Sequence, residues 1–216
     1  MAGSSLYAQN AFKAGTLPSV NLNTRISGPW RFNFKWESRQ VLYRGTFGEN
    51  QQWDAFYERS DFSGVFSRKV GLNNSIAAGY LIRFVEDRIV HRTIQQFTLV
   101  QYFTGFRLAH RFSTDQTFIP DIPTISRYRY RISVENPLNG QEVDPKEFYL
   151  KVNNEYLFIH SKRNNGLEIR IVPVLGYNFS DRNKLEAGID YRLAGLINSE
   201  IRTHDYWLTI GWYVKL

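Results

Sequence analysis

The 216-residue chain is 43% hydrophobic, 16% aromatic and 22% charged, with a mean hydropathy of −0.40. No segment approaches the roughly 18 apolar residues of a spanning helix, which argues against a helical membrane protein but leaves open a barrel, whose strands need only about 10 residues with half of them polar. The absence of cysteine removes disulfides, thiolate metal sites and cysteine nucleophiles, and the net charge of +7 reads either as a solvated surface or as a match for nucleic acid, anionic lipid or an arginine-rich lumen.

At the N-terminus, Leu6-Tyr7-Ala8-Gln9-Asn10 reads as the tail of a secretory signal with a small residue at Ala8, or as a frayed end. Residues 1–12 are therefore assigned to a signal or tag remnant, or to an extra strand. Residues 13–216 form one barrel domain. The first strand is predicted over 14–25. On 30–42, Trp30, Phe32, Phe34 and Trp36 alternate with Arg31, Asn33, Lys35, Glu37 and Arg39. Successive side chains of a strand point to opposite faces, so one face is aromatic and the other charged.

The same alternation recurs along the chain. On 75–86, Tyr80, Ile82 and Phe84 oppose Arg83; on 106–117, Phe106, Leu108 and Phe112 oppose Arg107, Arg111 and Asp115. On 124–136, Tyr128, Tyr130, Ile132 and Val134 oppose Arg127, Arg129, Arg131 and Glu135. On 146–158, Phe148, Leu150, Val152, Tyr156 and Phe158 oppose Lys151, Asn153 and Glu155. On 167–179, Ile169, Ile171, Leu175, Tyr177 and Phe179 oppose Glu168, Arg170 and Asn178, and on 184–193 Leu185, Ile189 and Tyr191 oppose Glu186, Asp190 and Arg192. A strand over 53–69 completes the middle of the series. The segment 89–103 gives no clean face, and a bulge that shifts its phase would explain it.

With a closing strand at 203–216, the count is eleven. Bacterial barrels use even numbers with both termini on one side, so the expected architecture is an all-β, antiparallel up-and-down transmembrane barrel of twelve strands, the twelfth drawn from 4–12, or of ten if two merge. Turns near 28, 72, 104, 139 and 182 are assigned to the periplasmic end. The looser segments 44–52, 116–124, 159–166 and 194–203 are assigned to the outer end, with Pro120 and Pro123 excluding a central strand at 120–123.

The closing run Tyr206-Trp207-Leu208-Thr209-Ile210-Gly211-Trp212-Tyr213-Val214-Lys215-Leu216 resembles the last strand of Gram-negative outer-membrane barrels, with Leu where the terminal Phe is usual. Leu17-Pro18-Ser19-Val20-Asn21-Leu22-Asn23, Trp36-Glu37-Ser38-Arg39, Arg127-Tyr128-Arg129-Tyr130-Arg131 and Gly176-Tyr177-Asn178-Phe179-Ser180 resemble a family of uncharacterised outer-membrane barrels. The resemblance implies a fold and an outer-membrane location in a Gram-negative bacterium. It transfers no activity and no catalytic residue.

Strand parity places Arg31, Lys35, Arg39, Arg83, Arg107, Arg111, Arg127, Arg129, Arg131, Glu135, Lys151, Glu155, Arg170, Glu186, Asp190 and Arg192 in a charged lumen. Trp30, Trp36, Tyr80, Tyr128, Tyr156, Tyr177 and Trp212 become interfacial aromatics facing lipid, including its anionic headgroups. Such a lumen is either a salt-bridge network that fills the barrel or a narrow anion-favouring conduit. A nucleic-acid reading of Arg127, Arg129 and Arg131 fails because Tyr128 and Tyr130 point away from them, so one strand of nucleic acid cannot meet both. A hydrolase needs a nucleophile, a base and an orienting acid, but His110 and Ser113 fall on opposite faces, and His160-Ser161 are merely adjacent. A soluble ligand-binding barrel would instead turn Trp30, Phe34, Tyr128 and Tyr130 into an internal calyx. No metal or cofactor signature is present. The sequence therefore favours a non-enzymatic barrel, as a scaffold or accessory subunit among envelope proteins or as a conduit.

Overall fold

The computed structural model describes residues 10–86, 88–162 and 165–216. Its strands are β1 (Ala11–Ser27), β2 (Trp30–Thr46), β3 (Glu49–Lys69), β4 (Asn74–Val85), β5 (Arg88–Phe103), β6 (Phe106–Ile119), β7 (Ile122–Pro137), β8 (Glu147–His160), β9 (Asn165–Ser180), β10 (Asn183–Ala194) and β11 (Thr203–Lys215). Consecutive strands pair antiparallel, and β1 pairs with β11 to close the barrel.

The closed wall has 11 strands, not twelve or ten. The reason is geometric. In an up-and-down series with an odd count, the first and last strands run the same way, so the closing pair is parallel; here it runs in unbroken register from Ala11↔Thr203 to Asn23↔Lys215. That pairing leaves no free edge for another strand. The proposed twelfth strand falls mostly on residues outside the described set. A second consequence is that β1 starts at the mouth opposite the one where β11 ends. The expectation of both barrel ends on one side is therefore overturned.

The upper mouth carries the β2–β3, β4–β5, β6–β7, β8–β9 and β10–β11 connections, and the lower mouth carries the others. Neither mouth is the long-loop side. Strands run through most of the segments expected as loose loops, so that β2 ends at Thr46 and β3 begins at Glu49. Only 195–202 remains a longer connection at the upper mouth, against 138–146 at the lower. Pro123 lies inside β7, against expectation, as the strand's second residue. A proline is tolerated there because the first residues of a strand at a rim need not donate to the ladder. Asp121 supplies the tight turn before it with φ of 61°.

β5 contains no bulge, as its register with β4 and β6 is continuous. Its blurred pattern has another cause. Val90 and Ile94 face inward while Thr93 and Gln95 face outward, so both faces are mixed.

Candidate functional site in the barrel interior

The wall is inverted relative to a soluble barrel. Buried side chains include Arg39, Asp61, Arg92, Asp115, Glu135, Glu155, Asn178, Glu186, Asp190 and Arg192, while Phe62, Phe66, Tyr80, Phe84, Phe112, Leu150, Ile189, Leu208 and Trp212 are exposed on the outside. Trp30, Phe34 and Tyr128 are likewise exposed, and Tyr130 packs outside against Phe112 at 4.9 Å, so the calyx arrangement is absent. Strand parity produces this arrangement, with the period interrupted where bulges shift the register between β2 and β3, so that Glu58 and Asp61 both face inward.

The interior charges pair across neighbouring strands and, at Lys35–Glu37, Glu168–Arg170 and Asp190–Arg192, along one strand. Asp115 on β6 accepts from Arg127 Nε at 2.6 Å and from Arg129 Nη2 at 2.5 Å, both on β7, and lies 3.4 Å from Arg92 Nε on β5. Arg92 also donates to Thr117 at 2.9 Å. Glu155 on β8 accepts from Arg131 Nε at 2.8 Å, with Arg170 at 3.3 Å and Arg129 at 3.9 Å. Arg170 in turn holds Glu168 at 2.5 Å. Three arginines therefore share Asp115, three share Glu155, and Arg129 joins the two.

Further around the wall, Arg83 grips Asp61 through Nε and Nη2 at 2.7 and 2.6 Å, and Arg192 grips Asp190 at 3.0 and 2.6 Å. Arg107 meets Glu135 at 2.8 Å, Lys35 meets Glu37 at 2.5 Å, and Arg39 meets Glu58 at 3.3 Å. Lys151 binds Glu186, which also accepts from Tyr149 at 2.8 Å and hydrogen-bonds Tyr213. Two-pronged guanidinium–carboxylate bonds fix geometry as well as charge. Arg192 on β10 interacts electrostatically with Glu37 on β2, so the network also acts between strands that are not neighbours in the wall.

Of the sixteen residues assigned to the lumen, all but Arg31 and Arg111 fall in this paired network. Arg31 lies at the lower rim and is exposed, next to its cross-strand partner Arg25. Arg111 sits directly opposite Arg131, with no carboxylate within ion-pair distance among the described residues. The aromatic set all points outward, but at different heights. Trp30, Tyr177 and Trp212 lie near the lower rim, whereas Trp36, Tyr80, Tyr128 and Tyr156 lie well along their strands. Trp53, 82% exposed, lies towards the opposite rim.

Sequence reasoning missed Tyr149 and Trp207, both fully buried inside. Both residues occupy the polar phase of their strands, which is the signal the sequence holds for them. Trp207 packs with Leu17, Val41 and Phe56 in a small apolar cluster. His110 and Ser113 do face opposite sides of the wall. His110 bonds the Tyr130 hydroxyl at 2.8 Å outside, while Ser113 is buried within.

The outer wall also carries neutral polar groups, among them a cluster on β5 and β6. Thr93 donates to Gln116 at 2.5 Å, Gln95 to the same oxygen at 3.2 Å, and Thr114 to Gln95 at 2.8 Å. These four residues form an outward polar island on β5 and β6, with Tyr80 and Tyr128 as cross-strand neighbours.

No curated protein and no solved structure matches this chain. A family model described as "Protein of unknown function (DUF2490)" matches residues 14–200, most of the barrel wall. The chain, an eleven-stranded barrel with an ion-paired interior and an apolar exterior, belongs to the DUF2490 family.

Proposed function

We propose that this protein is an integral outer-membrane barrel of a Gram-negative bacterium that acts without catalysis, as a scaffold or accessory subunit among envelope proteins. The observation that carries the reading is the inverted wall. Water would have to cover rows of exposed Phe, Leu, Ile and Trp, whereas lipid covers them at no cost, and a closed barrel leaves no backbone group unpaired in hydrocarbon. Strands of 12 to 21 residues exceed the roughly 9–11 that a bilayer requires. The polar island at Thr93, Gln95, Thr114 and Gln116 supports the scaffold role. Amides facing lipid are costly, and a partner protein relieves that cost by hydrogen bonding.

Extraction of native membranes tests the location. The protein is expected to stay with the outer-membrane fraction through alkaline carbonate washing and to need detergent for release. Recovery as a detergent-free monomer would remove the proposal. Copurification from mild detergent tests the role: a stoichiometric envelope partner is expected, lost on replacing Gln95 and Gln116 by Leu.

A second reading, a narrow anion-favouring conduit, is supported by the arginine surplus around Asp115 and Glu155. Planar-bilayer recording separates the two. Discrete openings whose anion preference disappears in Arg129→Glu favour the conduit, and a silent barrel with a bound partner favours the scaffold.

A further inference from the structure

The connected network on β5 to β9 contains three carboxylates, Asp115, Glu155 and Glu168, and five guanidiniums, from Arg92, Arg127, Arg129, Arg131 and Arg170. Arg111 stands beside it as a sixth. Arginine does not shed its proton to relieve such an excess, and an uncompensated cation in a confined interior is costly. The excess has local signs. Nη2 of Arg127 is buried without a hydrogen-bond partner. Arg111 is exposed to the lumen. Glu155 takes the Nε and Nη2 groups of Arg131, yet that side chain remains 32% exposed.

We propose that Arg111 and Arg131, with Arg129 behind them, form a binding site for a phosphoryl-bearing solute that enters through the lower mouth. This deepens the anion-favouring reading of the interior and rests on it. Arg111 and Arg131 are direct cross-strand partners on one face, so their side chains leave the wall at neighbouring positions. The guanidinium of Arg111 presents paired N–H groups that match two oxygens of one phosphoryl group, and Arg131, whose Nε and Nη2 hold Glu155, keeps its Nη1 group for a further oxygen. A dianion with three free oxygens meets both guanidiniums and offsets most of the local surplus, whereas a single carboxylate leaves most of it standing. Access is from below. Arg111 lies between the Asp115 hub and the lower end of β6, where Arg107, paired with Glu135, is 43% exposed.

Titration calorimetry on the full chain folded in non-ionic detergent, with inorganic phosphate and pyrophosphate as probes, tests the site. Saturable binding is expected, weakened at least about tenfold by Arg111→Gln, the loss of one charge-assisted contact. Lys13→Gln, which removes an equal charge from a residue held by Glu58 near the upper mouth, is expected to leave binding unchanged. Absence of saturable binding, or equal weakening in both variants, overturns the proposal. Arg111→Gln breaks no ion pair, so its folding is expected to match the parent; Arg131→Gln gives a second reading of the same site. Binding to phosphatidylglycerol mixed micelles alone, with none to the soluble probes, also overturns it. Conductance distinguishes the two levels of the argument. Phosphate binding in a silent barrel keeps the site and removes the conduit, and openings without binding do the reverse.

Discussion

The guanidinium of Arg39 on β2 lies over the indole of Trp207 on β11, 4.5 Å from the ring centroid, although β1 runs between the two strands. Gly15 on β1 makes the contact feasible. A Cβ there would fall 2.9 Å from the Trp207 ring and 2.0 Å from the Gln40 carbonyl oxygen. The absent side chain lets the indole lie across β1 and bridge the closing seam from inside. The same device recurs at Gly176, where a Cβ would meet the Tyr149 ring at 2.2 Å, so Tyr149 reaches over β9 to bond Glu186 on β10.

Filling either glycine should therefore loosen the wall. Gly15→Val and Gly176→Val are each expected to destabilise the folded barrel by about 2 kcal/mol or more, since neither ring can stay where it is. Trp207→Ala is expected to cost about 3–5 kcal/mol. Urea titration in phospholipid vesicles, followed by tryptophan fluorescence or by heat-sensitive gel mobility for Trp207→Ala, measures both. Parent-like midpoints for the glycine variants would contradict the packing described.

Glu155 should be harder to remove than any one of its arginines. Glu155→Gln leaves Arg129, Arg131 and Arg170 to share less negative charge, and loss of one partner from a buried ion pair costs about 3–5 kcal/mol. Adding Arg131→Gln is expected to restore part of that loss. A double variant less stable than the single one in the same urea titration would refute the shared-carboxylate account.

On the outer wall, the expected signs are opposite at two kinds of position. Ile189→Arg places a charge among exposed apolar residues and is expected to cost about 2–4 kcal/mol in vesicles. Gln95→Leu with Gln116→Leu is expected to leave the isolated barrel at least as stable as the parent while removing its partner. Equal destabilisation by both changes would mean that the polar island supports the barrel itself.

The cysteine-free sequence permits a direct topology test. Single cysteines at Glu49, next to the upper turn, and at Thr104, in the lower turn, are expected to react with a membrane-impermeant maleimide from opposite sides of sealed vesicles. Labelling of both from one side only would exclude a spanning orientation.

Much of this molecule could be read from residue order because the period of a strand is local. Arg127 to Glu135 alternate with Tyr128 to Val134, and the same alternation separates inside from outside in the structure. Strand number was not local information. It depends on whether Ala11 meets Thr203, a pairing between opposite ends of the chain that no neighbouring residues encode. Pairing partners were equally hidden: parity puts Arg129 inside, but only register gives it both Asp115 and Glu155. Trp207 and Tyr149 were legible in principle, since each sits in the polar phase of its strand, but parity gives no reason for a ring to be buried there; the room comes from Gly15 and Gly176 on neighbouring strands. Thr93 and Gln95 blurred β5 for the converse reason, being polar in an apolar phase.

The parallel β1–β11 ladder also bears on how the molecule assembles. Every other strand pair joins segments adjacent in sequence and is able to form as the chain lengthens, but this one requires the first strand to await the last. Until it does, β1 and β10 or β11 present unpaired edges, and open strand edges invite pairing with other chains. Closure is thus a single late event on which the whole wall depends. A chain shortened before Thr203 would not yield a slightly smaller barrel, but an open sheet prone to association.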